Sequence, residues 1–386
     1  MNAAKIPFRA MQYFGIWRPK TWTSPWAIGL YKLYSFLIIV LLTTFAATFL
    51  IYILRGAENL DALTENLIMF CGLCSVSVKI ANIFLQRDEI ISFDNMFLEN
   101  CCIPRSLHEC ALQKEFEHRD RTYSIFLLTI CFVGVTIITL SPLAKTTDIS
   151  LPCDKIWMPY NIESNFLFSV TYIYQSISLF ILGFLTVSFD SFISIMMQKI
   201  CTQLQIFEHR LYVLPTILKK NHERACDSEW VFQIIADVVI HHIHVYSIGR
   251  KLNDIFSLMV FAQFFVTTLA LCAIIFQLAT LSMVSLKFWY MVGCLNNYMI
   301  EIFLYCWYGE QMIQQSAGIV EAVYEMNWNL LPLGSQKCLV LIMMRANKPI
   351  ELIGASMVTM SVETLVKILK TSYSAFSVLK NVSGNP

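Results

Sequence analysis

Long apolar runs separated by short charged windows dominate this chain. Leu33 to Leu54 and Tyr123 to Pro142 carry no charge, and at about 1.5 Å of rise per residue each can cross roughly 30 Å of hydrocarbon as a helix. Phe166 to Phe189 and Ile255 to Val284 are likewise uncharged, while Leu63 to Leu85, Phe288 to Gly309 and Leu352 to Leu379 hold one to three ionisable residues each. The pattern predicts an all-α, polytopic membrane protein with seven spans.

Between the spans, segments 87–121, 196–254 and 311–350 are polar yet rich in helix formers with few Gly or Pro. Ile200, Leu204, Phe207 and Leu211 recur at helical spacing, as though span four continues past the membrane as an amphipathic helix. Ile319, Val320, Val323, Tyr324, Trp328 and Leu331 repeat the pattern. Such stripes fit either packing within the subunit or an interface between subunits.

Charge sets the orientation. The tail through Lys32 and the loops after spans two, four and six hold twenty Lys and Arg, against five on the opposite face. By the positive-inside rule the N-terminus is expected in the cytosol and, after seven crossings, the C-terminus outside. That is the reverse of a G-protein-coupled receptor. Arg119-Asp120-Arg121 precedes span three instead of closing it, and span seven has no Asn-Pro-x-x-Tyr. A secondary transporter should show two halves with matching interrupted spans, and no such repeat is present.

Composition agrees: 56% of residues are hydrophobic and 14% charged, with a mean hydropathy of +0.58. A net charge of +1 gives no basic footprint for nucleic acid. The polar, basic N-terminus reads as uncleaved, so the first span is expected to direct insertion.

Chemistry-bearing motifs are sparse. Of 13 cysteines only Cys153 falls on an outer loop, which leaves no loop-to-loop disulfide there. Cys71 and Cys74 form a lone C-x-x-C inside a span and read as packing residues. His241 and His244 sit at i and i+3, a spacing that can chelate, but with only Asp237 at matching helical spacing the structural reading is preferred. No phosphate loop, nucleophile elbow or His-Glu-x-x-His occurs, so no enzyme, cofactor or metal is expected. Asn381-Val382-Ser383 is a sequon too close to the last span for glycosylation to be expected.

Span seven is different. At steps of three and four it reads Ser356, Thr359, Glu363, Lys367, Lys370, Ser374 and Ser377, with Val358, Leu365, Ile368, Leu369 and Phe376 opposite. A charge at mid-membrane costs about 2.5 to 3.5 kcal/mol on insertion scales. The stripe therefore either lines an aqueous pore, or Glu363 and Lys367 neutralise each other while Lys370 snorkels outward. A single helix cannot enclose a pore, so the first reading requires oligomerisation, and so many lysines on one axis favour a heteromer over a homotetramer.

The C-terminal third resembles the insect odorant receptor family. The resemblance is carried by Phe303-Leu304-Tyr305-Cys306-Trp307-Tyr308-Gly309-Glu310, Ser316, Tyr324-Glu325-x-x-Trp328, Leu339 to Arg345, Lys348-Pro349 and Thr371-Ser372-Tyr373-Ser374. It extends more weakly through Pro159-Tyr160 and Tyr172-x-x-Gln175.

The resemblance implies an odorant-gated, non-selective cation channel in the plasma membrane of an olfactory neuron dendrite. It would assemble as a heterotetramer with the odorant receptor co-receptor, in contact with membrane lipid. The chain lacks the co-receptor's insertion after span four and so matches a ligand-tuning subunit. It retains Tyr373 of the gustatory pattern but has Lys380 where Gln-Phe would fall, and a gustatory-type channel is the alternative, with a seven-helix metabotropic receptor behind it.

On this basis residues 1–32 form a cytosolic tail, 33–310 carry spans one to six with the pocket and long cytosolic loops, 311–350 the cytosolic anchor, 351–380 the pore helix and 381–386 an extracellular tail. A small volatile or apolar odorant calls for an apolar and aromatic pocket. By depth the expected lining is Met69, Phe70, Leu73, Gly134, Ile138, Phe168, Tyr172 and Phe276, with the Tyr172 hydroxyl placed to orient a polar odorant. The expected pore and gate residues are Glu363, Lys367, Lys370, Tyr373, Ser374, Phe376, Ser377 and Leu379.

Overall fold

The computed structural model describes residues 5–19, 22–56, 59–144, 150–153, 155–161, 164–220, 228–328 and 331–383. The helices are α1 (Lys5–Tyr13), α2 (Pro25–Leu54), α3 (Leu60–Leu85), α4 (Arg87–Met96), α5 (Leu107–Leu140), α6 (Asn165–Lys220), α7 (Ser228–Thr280), α8 (Leu286–Glu325), α9 (Leu333–Ala346) and α10 (Val362–Ser383). A two-stranded hairpin, β1 (Ile353–Gly354) and β2 (Val358–Thr359), lies before α10.

Five of these helices, α2, α3, α5, α6 and α7, are long and apolar enough to cross a membrane. On α2, apolar Leu33, Phe36 and Leu37 are exposed while Ile38, Leu42 and Phe45 are buried, as befits a helix with lipid on one side and protein on the other.

Helix α6 is the axis of the bundle. Its 56 residues span about 84 Å, so span four does continue past the membrane, with Ile200, Leu204, Phe207 and Leu211 all buried. Helix α7, of 53 residues, and α8, of 40 residues, likewise run on beyond their membrane lengths. Ile319 and Val323 on α8 are buried within this one subunit, so that part of the stripe serves intrasubunit packing.

Residues 5–17 pack against the bundle. Helix α1 docks on α6 through Phe8, whose ring lies 4.9 Å from that of Phe192 and 5.1 Å from that of Trp17.

Span seven begins later than its hydropathy suggests. Leu352 to Ser361 do not belong to the helix; Ser356 and Thr359, expected on its polar stripe, sit in the hairpin. The reason is local. Asn253 Oδ1 accepts from the Ile353 N–H at 2.8 Å, and Ser257 Oγ donates to the Ile353 carbonyl at 2.6 Å and accepts from the Ala355 N–H at 2.9 Å. Side chains of α7 thereby satisfy backbone groups that would otherwise need a helix. Gly354 permits the approach, since a Cβ there would stand 3.0 Å from the Phe261 nitrogen.

Candidate functional site

The described residues between α5 and α6, 150–153 and 155–161, form a plug at one end of the bundle. The buried Gln175 amide grips it: Gln175 Oε1 accepts from the Cys153 N–H at 2.9 Å and Nε2 donates to the Cys153 carbonyl at 3.3 Å. Tyr160 and Thr171 share a 2.8 Å hydroxyl contact, and the Arg55 guanidinium lies 4.9 Å from the Trp157 ring centre. Leu151 is thereby buried, and Cys153 and Ile156 pack against the core.

The residues expected to line a pocket are spread over α3, α5, α6 and α7. Leu73 is buried, and Met69, Phe70 and Ile138 pack half-buried on the same continuous core. Phe168 and Tyr172 stand one turn apart on α6 with ring centres separated by 6.3 Å. Phe276 is buried on α7. A Cβ at Gly134 would meet no atom within 4 Å. The Tyr172 hydroxyl donates to the Thr139 carbonyl of α5, so its proton is committed and it faces any ligand as an acceptor.

Deeper in the bundle is a cluster that sequence reasoning missed. Lys79 of α3 places Nζ 2.6 Å from Asp190 Oδ1 of α6 and 2.5 Å from Glu301 Oε1 of α8, and the Tyr305 hydroxyl donates to Asp190 at 2.6 Å. The Lys79, Asp190 and Glu301 side chains are only 1%, 7% and 4% exposed. One cation between two carboxylates ties three helices together at separations of 111 and 222 residues. The available signal was a lone Lys in span two and a lone Glu in span six; nothing in sequence pairs them.

Helix α10 rests on α7 and α8. It buries Thr364, Ile368 and Ser372 and turns Glu363, Lys367, Lys370, Tyr373, Ser374 and Ser377 out of the subunit. Lys367 Nζ lies 2.7 Å from Glu363 Oε1, with both side chains largely exposed. Phe376 is half-buried with its ring centre 6.1 Å from that of Tyr373; the side chains of Leu379 and Asn381 lie outside the described residues. Glu310 of α8 accepts from the Val362 N–H at 3.3 Å, at the first turn of α10. Next to it Gly309 carries the Met360 carbonyl, which a Cβ would approach to 2.3 Å.

Toward the C-terminal end of α6, Arg210 organises a polar knot. It grips Glu109 through Nε at 3.3 Å and Nη2 at 2.9 Å, and donates to the Cys101 and Ile103 carbonyls at 2.5 and 2.8 Å. His241 Nδ1 accepts from Arg210 at 3.1 Å, which leaves Nε2–H to donate to Gln203 Oε1 at 3.3 Å. Burial and the nearby guanidinium push the His241 pKa down to about 3. Both its nitrogens are engaged, so the structural reading of His241 stands and it does not pair with His244.

A long-helix bundle with lipid-facing aliphatics, a plugged aromatic interior and an amphipathic last helix defines a multi-pass helical membrane protein. The chain belongs to the 7tm Odorant receptor family, whose profile matches residues 59–373, a family of receptors and not of enzymes. Odorant receptor 67c of Drosophila melanogaster is 22% identical over 231 residues, covering 60% of this chain and 55% of that relative. Odorant receptor 9a of the same species is 25% identical, covering 61% and 58%. The chain thus spans little over half the length of these relatives, whereas Odorant receptor 2a is 20% identical over 98% of this chain and 96% of its own. The solved structure of olfactory receptor OR5 from Machilis hrabei in complex with eugenol superposes with a TM-score of 0.86 at 20% identity, covering 98% of this chain and 97% of that one. That likeness concerns the fold.

Proposed function

We propose that this chain is the ligand-tuning subunit of an odorant-gated, non-selective cation channel, assembled as a heterotetramer with the odorant receptor co-receptor in the dendritic plasma membrane of an olfactory neuron. The observation that carries the reading is the division of α10 into two faces. Thr364, Ile368 and Ser372 dock on α7 and α8, while Glu363, Lys367, Lys370, Ser374 and Ser377 point away from the subunit. Charged groups so placed at membrane depth require water, and an aqueous axis between subunits supplies it.

The odorant binds beneath the outer plug, among Met69, Phe70, Leu73, Gly134, Ile138, Phe168, Tyr172 and Phe276. An apolar, aromatic lining with one hydroxyl acceptor suits a small molecule carrying a single donor. The fold relative from Machilis hrabei was solved with eugenol, which supports an odorant of that size class. Binding that favours the open arrangement shifts the population toward outward movement of α10, with Tyr373, Phe376 and Leu379 near the gate.

The test is co-expression with the co-receptor and recording of odorant-evoked current, with the chain alone as control. Tyr172→Ala is expected to shift odorant potency at least tenfold, and Glu363→Gln to change cation conductance without moving potency. Unchanged potency and conductance in both variants would overturn the reading.

A further inference from the structure

The turn that follows α4 carries adjacent cysteines, Cys101 and Cys102, both buried and both free thiols. Their sulfurs are 4.0 Å apart, and with an imidazole nitrogen of His244 on α7 all three potential ligand atoms lie within 4.8 Å of one another. Two thiolates at about 2.3 Å from a tetrahedral zinc are about 3.8 Å apart. The thiols already stand at nearly that spacing.

Side chains of α6 hold the backbone of this turn in place. Arg210 donates to the carbonyls of Cys101 and Ile103, and Gln203 Nε2 donates to the Cys102 carbonyl at 3.3 Å. His244 is oriented too. Its Nε2 lies 2.8 Å from the Met96 carbonyl, an acceptor only, so Nε2 carries the proton. Nδ1 then faces the Glu99 carboxylate at 3.3 Å, which sets a second ring nitrogen and a carboxylate oxygen side by side. Glu99 is mostly exposed on its side chain, which leaves it free to close onto an ion as fourth ligand.

We propose that Cys101, Cys102, His244 and Glu99 form a binding site for a zinc-class divalent ion, stapling the turn after α4 to α7. Binding expels the two thiol protons to solvent and involves no change in oxidation state. The site lies on the face proposed to be cytosolic, where thiols remain reduced. It requires neither the odorant pocket nor the pore.

The test uses the full-length chain purified through a peptide epitope free of histidine. After equilibration with zinc and removal of excess, elemental analysis is expected to find about one zinc per chain, and cobalt to give a thiolate charge-transfer band. Cys102→Ser and His244→Ala should each abolish the band. Should these variants not fold, the wild-type chain suffices: zinc is expected to protect the Cys101–Cys102 peptide from alkylation, reversibly on adding a chelator. Equal alkylation with and without zinc, or a Cys101–Cys102 disulfide in protein alkylated at lysis, would overturn the proposal, as would a zinc content unchanged in a Cys101→Ser/Cys102→Ser double variant.

Discussion

An ammonium group 1% exposed in a membrane bundle must have its charge answered by its neighbours, and Asp190 and Glu301 answer that of Lys79. Removing one partner of a buried pair leaves an uncompensated charge, at a cost of about 3 to 5 kcal/mol. Lys79→Met is therefore expected to lower the midpoint of thermal unfolding in detergent and reduce surface expression. The triple variant with Asp190→Asn and Glu301→Gln should regain much of the loss. A Lys79→Met chain as stable as wild type would refute this account.

Asp120, where α5 approaches the membrane, is a second costly residue. Its Oδ1 has no hydrogen-bond partner among the described residues. Burial pushes its carboxyl up to about 7 from an ordinary 3.8, against the opposing pull of Lys199. A carboxyl raised in the fold holds a proton that the unfolded chain has released. Its contribution therefore makes stability fall as pH climbs from about 3.8 to about 7 and stay level above. Asp120→Asn should stabilise the chain at pH 8, on the order of 2 to 4 kcal/mol, and not at pH 4. Denaturation midpoints at the two pH values decide it.

At the scale of elements, the junction between α8, the hairpin and α10 is the most constrained part of the fold. Ala355 and Ser356 take φ values of +46° and +60°, a region that costs an L-residue roughly 1 to 2 kcal/mol. Ala355→Gly is thus expected to raise the unfolding midpoint. Gly309→Ala does the opposite, because its Cβ would meet the Met360 carbonyl and force the start of α10 away from α8. The midpoint should drop by the equivalent of about 1 to 3 kcal/mol, and odorant-evoked current should fall with it. A tolerated Gly309→Ala would mean that this junction yields easily.

For the whole molecule, orientation follows from where the positive charge lies. An epitope at the N-terminus is expected to stay hidden from antibody on intact cells and one at the C-terminus to be labelled. The reverse result would exclude the proposed topology and with it the channel reading.

How much of this was legible depended on the range of the interaction. Length and hydropathy suffice to mark membrane helices, because the bilayer acts on each segment separately. They also revealed the continuation of span four, since Ile200 to Leu211 repeat at a helix's own period. The hairpin at 353–359 is not legible locally because Asn253 and Ser257, which divert its backbone hydrogen bonds, lie about a hundred residues away.

The sequence by itself therefore determined the class of the protein, its long apolar helices and the amphipathic character of α10, all consequences of local periodicity against a uniform solvent. Tertiary structure alone decided that Lys79 meets Asp190 and Glu301, that His241 is spent on Arg210 and Gln203, and that Cys101 and Cys102 face His244. Each depends on helices far apart in the chain being brought within a few ångströms, and no periodicity encodes that.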